Sequence, residues 1–252
     1  MEPVVDVLDY INAGAALLLA LVGAVQSRVV GRPGRWGAAA FAALAAALLI
    51  LALDESRPDW ETKAVLCCLL AFPYLMLRFA ASFGAVPAVY TRLALWATAA
   101  MVVLTVALPS FPADDAAARP AWVNAYLFGL LAVWTVLSLA TIMTLWRGGA
   151  DQPTLARRRA RLMGAAAAGM NVLLLLASVG VTGGEGALLV QGLLLVSLAS
   201  FAVGFAPPAI VRLAWRQPEQ EALGRATEQL VEATTVSEVT DTLLPHVARI
   251  VG

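Results

Sequence analysis

Charge is scarce in this chain, and two kinds of side chain are nearly missing. Lysine occurs once, at Lys63, and histidine once, at His246. Charged residues make up only 13% of the 252 positions, against 61% hydrophobic ones, a balance that soluble domains rarely show. Each shortage removes a class of chemistry. A retinal protein needs a Schiff-base lysine deep in its bundle, and Lys63 falls at the edge of an apolar run. The lone His246 lies in the polar tail, so no Ser–His pair and no His/Asp/Glu metal set can form inside the apolar part. No Asp, Glu, Lys or His falls deep in an apolar run, where ion-coupled carriers and pumps keep ionisable groups. The two cysteines, Cys67 and Cys68, are adjacent; neighbours bridge poorly, and both read as small buried hydrophobes. Formal net charge is zero, so nothing in the total suggests a nucleic-acid partner. The expectation is a chain with no catalytic residue, no metal site, no cofactor and no enzymatic activity of its own.

What the chain does have is long apolar runs. A helix needs about 20 residues, at 1.5 Å rise each, to cross about 30 Å of hydrocarbon. Seven segments qualify, at about 6–27, 36–53, 64–83, 93–109, 122–146, 162–181 and 187–206. The opening "MEPVVDVLDY" carries acids and no Arg or Lys, unlike the basic start of a signal peptide, so the first run is expected to stay. The connections set an orientation. Arg28, Arg32, Arg35, Arg78, Arg92, Arg147, Arg157, Arg158, Arg159, Arg161 and the tail arginines Arg212, Arg216, Arg225 and Arg249 fall on one side. The other side has Arg57, Lys63 and Arg119 among several acids. The positive-inside rule then places the N-terminus outside and the tail in the cytoplasm. The fold expected is all-α: a polytopic protein of the plasma membrane, with seven transmembrane helices followed by cytoplasmic helices.

Polar residues inside the spans fall in layers. Asn12, Asn124, Tyr126 and Gln191 lie towards the outer end. Tyr74 and Ser197 lie about 10 residues from the outer end, Trp134 about 12, and Asn171 about 9 from the inner end; these depths converge on a layer about 13–18 Å deep. Two readings are open. The groups hydrogen-bond between helices, for about 0.6–2 kcal/mol each. Alternatively, Tyr74, Trp134, Asn171 and Ser197 line a mid-membrane pocket for a small or lipophilic ligand. Pro73 should kink the third span just above Tyr74. Arg78 is expected to snorkel to the inner face, with a headgroup or carbonyl contact as the alternative.

The tail changes character. Pro207-Pro208 ends the seventh span, because proline cannot donate to the helix ladder. A helix start follows at Pro218, with acids in its first turn. Leu223, Ala226, Leu230 and Ala233 make a short heptad seam suited to a second copy. Thr235 and Glu238 form a capping box, and Val236, Val239, Leu243, Val247 and Ile250 an apolar stripe. The stretch "EALGRATEQLVEATTVSEVTDTLLPHVARIVG" resembles the opening helix of a GAF domain. The stretches "FPYLMLRFAASFG", "ARRRARLM" and "GFAPPAIVRLAWRQPEQEAL" resemble the seven-helix sensor regions of actinobacterial signalling proteins. That resemblance implies a sensor region, 1–206, a juxtamembrane and signalling helix, 207–234, and an incomplete GAF-like start, 235–252. It also implies a histidine kinase, diguanylate cyclase or phosphatase as output, a stimulus passed on through Pro207, Pro208, Leu223 and Leu230, and a homodimer in the full-length protein. A small-molecule transporter and a passive membrane anchor are the rival readings.

Overall fold

The structure, a computed structural model, describes residues 2–53, 58–84, 86–109, 120–149, 152, 154–179, 185–211, 213 and 215. These residues hold seven α-helices and no strand: α1 (Glu2–Val30), α2 (Arg32–Leu53), α3 (Asp59–Ala80), α4 (Ala88–Ala107), α5 (Ala121–Gly148), α6 (Thr154–Ser178) and α7 (Glu185–Phe205). All seven are long and apolar enough to span a bilayer, as expected for an all-α polytopic membrane protein. The signalling helix, with Leu223 and Leu230, and the GAF-like segment lie outside the described residues.

Helix ends differ from the apolar runs for local reasons. α6 begins at Thr154, not near 162, so Arg157, Arg158, Arg159 and Arg161 are helical rather than in a loop. Arginine is a good helix former, and its long stem lets a helix run past the hydrocarbon. α3, α4 and α5 each start directly after a proline, at Pro58, Pro87 and Pro120, with ψ of 154°, 137° and 148°. The ring fixes φ near the value these cap positions need, and its missing N–H costs nothing at a helix start. Pro73 is buried inside α3, which continues across it. Between α1 and α2 only Gly31 intervenes, at φ 77°, a left-handed turn that a side chain would strain. The hairpin is tight: a Cβ at Gly34 would come within 2.6 Å of the Ser27 backbone.

Six helices close a ring through the pairs α1·α2, α2·α3, α3·α5, α5·α6, α6·α7 and α7·α1; α4 packs outside it, against α3 and α5. Aromatic side chains fill the ring. Phe41 of α2 meets Phe72 at 6.0 Å, Phe201 at 5.1 Å and Phe205 at 5.6 Å, all edge-on. Phe79 stacks on Phe205 at 4.9 Å, and Phe72 on Trp134 at 5.8 Å. Such pairs are worth about 0.5–1.5 kcal/mol beyond their buried area. Met76, Met163 and Met170 complete the cluster. The outside is apolar as well: Leu18, Leu21, Val25, Trp96, Val103, Val106, Phe128 and Val136 are exposed. That is the surface a bilayer solvates.

Candidate functional site

The hydrogen bonds sort the bundle into two ends. Asp9, Asn12, Lys63, Leu108, Tyr126 and Gln191 gather at the amino end, and Gln26, Arg159 and the C-terminus of α7 at the exit end. The exit end carries the most specific arrangement. In a helix, the carbonyl of residue 204 should accept from the N–H of residue 208, but that residue is Pro208, which has none. The structure supplies the missing donor from another helix. Arg159 of α6 donates Nε to the Gly204 carbonyl at 2.8 Å and Nη2 to the Phe205 carbonyl at 2.7 Å. Gln26 of α1 donates its amide to the same Phe205 carbonyl at 3.1 Å. A guanidinium facing the negative end of the α7 dipole adds a favourable charge interaction. The sequence demands a donor at this point; it does not say which arginine of the basic run provides it, because that needs the rotation of α6.

A cavity of about 360 Å³ opens beside this clasp. The ends of α1, α2, α3, α5, α6 and α7 wall it, with Gln26, Ser82, Gln152 and Arg159 as its polar groups and Phe79, Phe205 and Met163 among its apolar ones. Its size falls within the range of small-molecule sites. Nearby, the Arg78 guanidinium lies 4.6 Å from the centroid of the Trp36 ring. The aromatic face stabilises this charge in the last turn of α3.

The four mid-membrane candidates do not share one place. Trp134 is buried in the ring interior, stacked on Phe72, and its Nε1 has no hydrogen-bond partner among the described residues. Asn171 is buried, and its Oδ1 likewise lacks a partner there. Ser197 is buried where α7 meets α6, and a side chain at Gly169 would overlap its Oγ. Tyr74 packs elsewhere, with Leu77, Ala94 and Leu137 in the cluster between α3, α4 and α5. Phe72, two residues earlier and so about 200° round the helix, is the α3 ring that faces Trp134. Neither opening of the molecule described here is lined by any of the four.

The amino-end polar residues form two separate ties. Gln191 of α7 donates its amide to the Asp9 carboxylate and accepts from Asn12 Nδ2 at 2.6 Å. The carboxylate fixes both amide orientations, which leaves the fully buried Asn12 Oδ1 without a partner among the described residues. Tyr126 of α5 meets Thr105 of α4 hydroxyl to hydroxyl at 2.7 Å, while Asn124 is exposed. Lys63 donates to the Leu108 carbonyl at 2.8 Å and pairs with Asp59 at 2.9 Å. Thus a basic side chain holds the α4 C-terminus as Arg159 holds that of α7. Cys67 and Cys68 are free and half-buried, and no cluster of three or more metal-binding side chains occurs among the described residues. Comparison of the chain with protein-family models, with curated proteins and with solved structures gives no match.

Proposed function

We propose that the chain is a membrane signal-input module, in which a stimulus acting on the seven-helix bundle changes how α7 leaves it. One observation carries this reading: the last carbonyls of α7 are held by Arg159 and Gln26, from two other helices, beside a cavity. Side-chain hydrogen bonds can be exchanged without unfolding a helix, so the exit has two physically accessible states, clasped and released. Any stimulus that binds the two with different affinity shifts their populations. In this reading the arginine-rich exit end faces the cytoplasm and the N-terminus lies outside. The change passes through Pro207-Pro208 to the segment around 218–234. There Leu223 and Leu230 pair with a second copy, and 235–252 opens a GAF-like domain that leads to a kinase, cyclase or phosphatase. The chain itself turns over no substrate. Trp134, Asn171 and Ser197 remain the candidate contacts for a small or lipophilic ligand in the ring, with Tyr74 outside it.

The rivals differ in what they require. A transporter needs a path through the bundle, and Phe41, Phe72, Phe201 and Phe205 occupy the ring. A passive anchor needs no clasp. The test inserts one residue, then seven, after Glu221 in a chain carrying an output domain. A sensor loses regulation with one residue and regains it with seven, because two helical turns restore the face. Indifference to both supports an anchor, and substrate uptake by proteoliposomes supports a transporter.

A further inference from the structure

α4 and α5 do not run side by side over their whole length. Towards the amino end they are joined: Thr105 bonds Tyr126 at 2.7 Å, and Met101 lies over Gly129. Towards the exit end they part, and the space between them is a groove of about 860 Å³. Its walls along the helices are apolar and partly small: Leu93, Ala94 and Ala97 on α4, with Val136, Ala140 and Met143 on α5. Its head, at the exit end, is polar, with the exposed Tyr90 hydroxyl, Thr144, Gln152 and the exposed Arg147 guanidinium. Among the described residues no carboxylate lines it. The amino end of α4 also points its dipole to this head, with no acid in its first turn and no side-chain cap at Pro87. Because α4 sits outside the ring, the groove is at the perimeter, where the surrounding medium is bilayer.

We propose that this groove is a binding site for an anionic glycerophospholipid of the exit-end leaflet. The shape supplies the argument. A lipid is an apolar chain ending in a charged group, and the groove is an apolar trough ending in a cation that no carboxylate of the described residues faces, with head and tail in the same order along the membrane normal. Arg147 fits a phosphate through two parallel N–H bonds, and Tyr90 adds a hydroxyl donor beside it, while the Thr144 hydroxyl donates to the Ala140 carbonyl of its own helix at 2.7 Å. A zwitterionic lipid offers the same chains but brings its own cation to the Arg147 end, where no carboxylate of the described residues receives it. The groove adjoins the cavity beside the exit clasp, with Phe83, Gly148 and Gln152 lining both, but Arg147 and the α4 residues make no hydrogen bond to α7 among the described residues.

The experiment measures the phospholipid that stays with the full chain through purification in mild detergent from mixed phosphatidylglycerol and phosphatidylethanolamine membranes. Lipid class is read by mass spectrometry of the extract. Phosphatidylglycerol is expected to be enriched several-fold over its share in the membrane. Arg147→Gln removes the enrichment while leaving total retained lipid similar. Ala97→Trp fills the trough and lowers retention of both classes. Arg28→Gln, an exposed arginine at the same end but outside the groove, changes neither. Equal retention of the two lipids by the wild-type chain overturns the proposal. So does an equal loss of enrichment in the Arg28 and Arg147 variants, which marks a general surface attraction. A disulfide between two copies through Leu93→Cys in liposomes overturns it as well, because a second chain then fills the groove.

Discussion

At the scale of single residues, Arg159 has the most to lose. Its two bonds to the α7 carbonyls are charge-assisted, and each such bond is worth about 1.5–3 kcal/mol. Arg159→Gln takes from the Gly204 carbonyl the donor that Pro208 cannot offer, and leaves the Phe205 carbonyl with Gln26. The expected outcome is a lower melting temperature in detergent and faster labelling of a cysteine placed at Ala209, with Cys67 and Cys68 replaced by alanine. An unchanged labelling rate would mean that the clasp does not hold the exit. Asn171 predicts the opposite sign. Its buried Oδ1 lacks a partner among the described residues, which corresponds to a desolvation cost of about 1–3 kcal/mol. Asn171→Leu should therefore keep or raise the melting temperature, and if the residue meets a ligand it should abolish the response at the same time. Tyr74 shows how far sequence reasoning reaches at this scale. Counting residues from a helix end fixes depth, since rise per residue is constant. It does not fix which way a side chain faces, since that depends on how the whole helix is rotated. Tyr74 and Trp134 share a depth and belong to different clusters, while Phe72, at nearly the same depth, stacks on the tryptophan.

At the scale of elements, the apolar runs made the seven helices legible and the polar residues hid their ends. Span length follows from bilayer thickness, which any chain must respect. Helix termini follow from capping, and here prolines start three helices and basic side chains from elsewhere hold the ends of α4 and α7. The arginines 157 to 161, which read as a loop by charge, form the first turns of α6, and that is what brings Arg159 to α7. This dependence predicts a coupling. Replacing Pro207 and Pro208 together by alanine restores two backbone N–H groups, so α7 can continue and satisfy the Gly204 carbonyl by itself. Arg159→Gln should then cost much less in that background than in the wild type. A double-mutant cycle read by thermal melting measures the difference, with a coupling energy of about 0.5–3 kcal/mol expected for groups sharing one network. Additive effects would show that the proline pair does not create the need for Arg159. α4 offers an independent case. It packs outside the ring, and Tyr126→Phe removes the hydroxyl bond to Thr105. A loss of about 0.6–2 kcal/mol is expected, the range for interhelical bonds in membranes. Cysteine labelling at Thr91 should rise while labelling on α2 stays constant.

At the scale of the whole molecule, the closed ring and its outlying helix could not be read from the sequence. Hydropathy reports that seven segments cross, but neighbours are chosen by side-chain shape, and aromatic rings from four helices decide it here. The orientation we propose rests on charge and not on the fold. The helix ends at the exit side carry Arg28, Arg32, Arg92, Arg147 and Arg157, and Lys63 stands at the amino end. Arginine near the end of a span is cheap on the cytoplasmic side, where anionic headgroups receive it, and is selected against in segments that must be translocated. The expected outcome is that Asp114→Cys labels with an impermeant maleimide on intact cells, while Arg158→Cys labels only after permeabilisation, both in a background with Cys67 and Cys68 replaced by alanine. Asp114 precedes α5 in the chain and Arg158, at the start of α6, follows it, so a single insertion must give opposite results at the two positions; labelling of both from one side would break the seven-span topology itself. Labelling of Arg158→Cys alone on intact cells would keep the topology and reverse the orientation. The clasp at Arg159 and the groove at Arg147 would then face outward, and a signal leaving through α7 could not reach a cytoplasmic output.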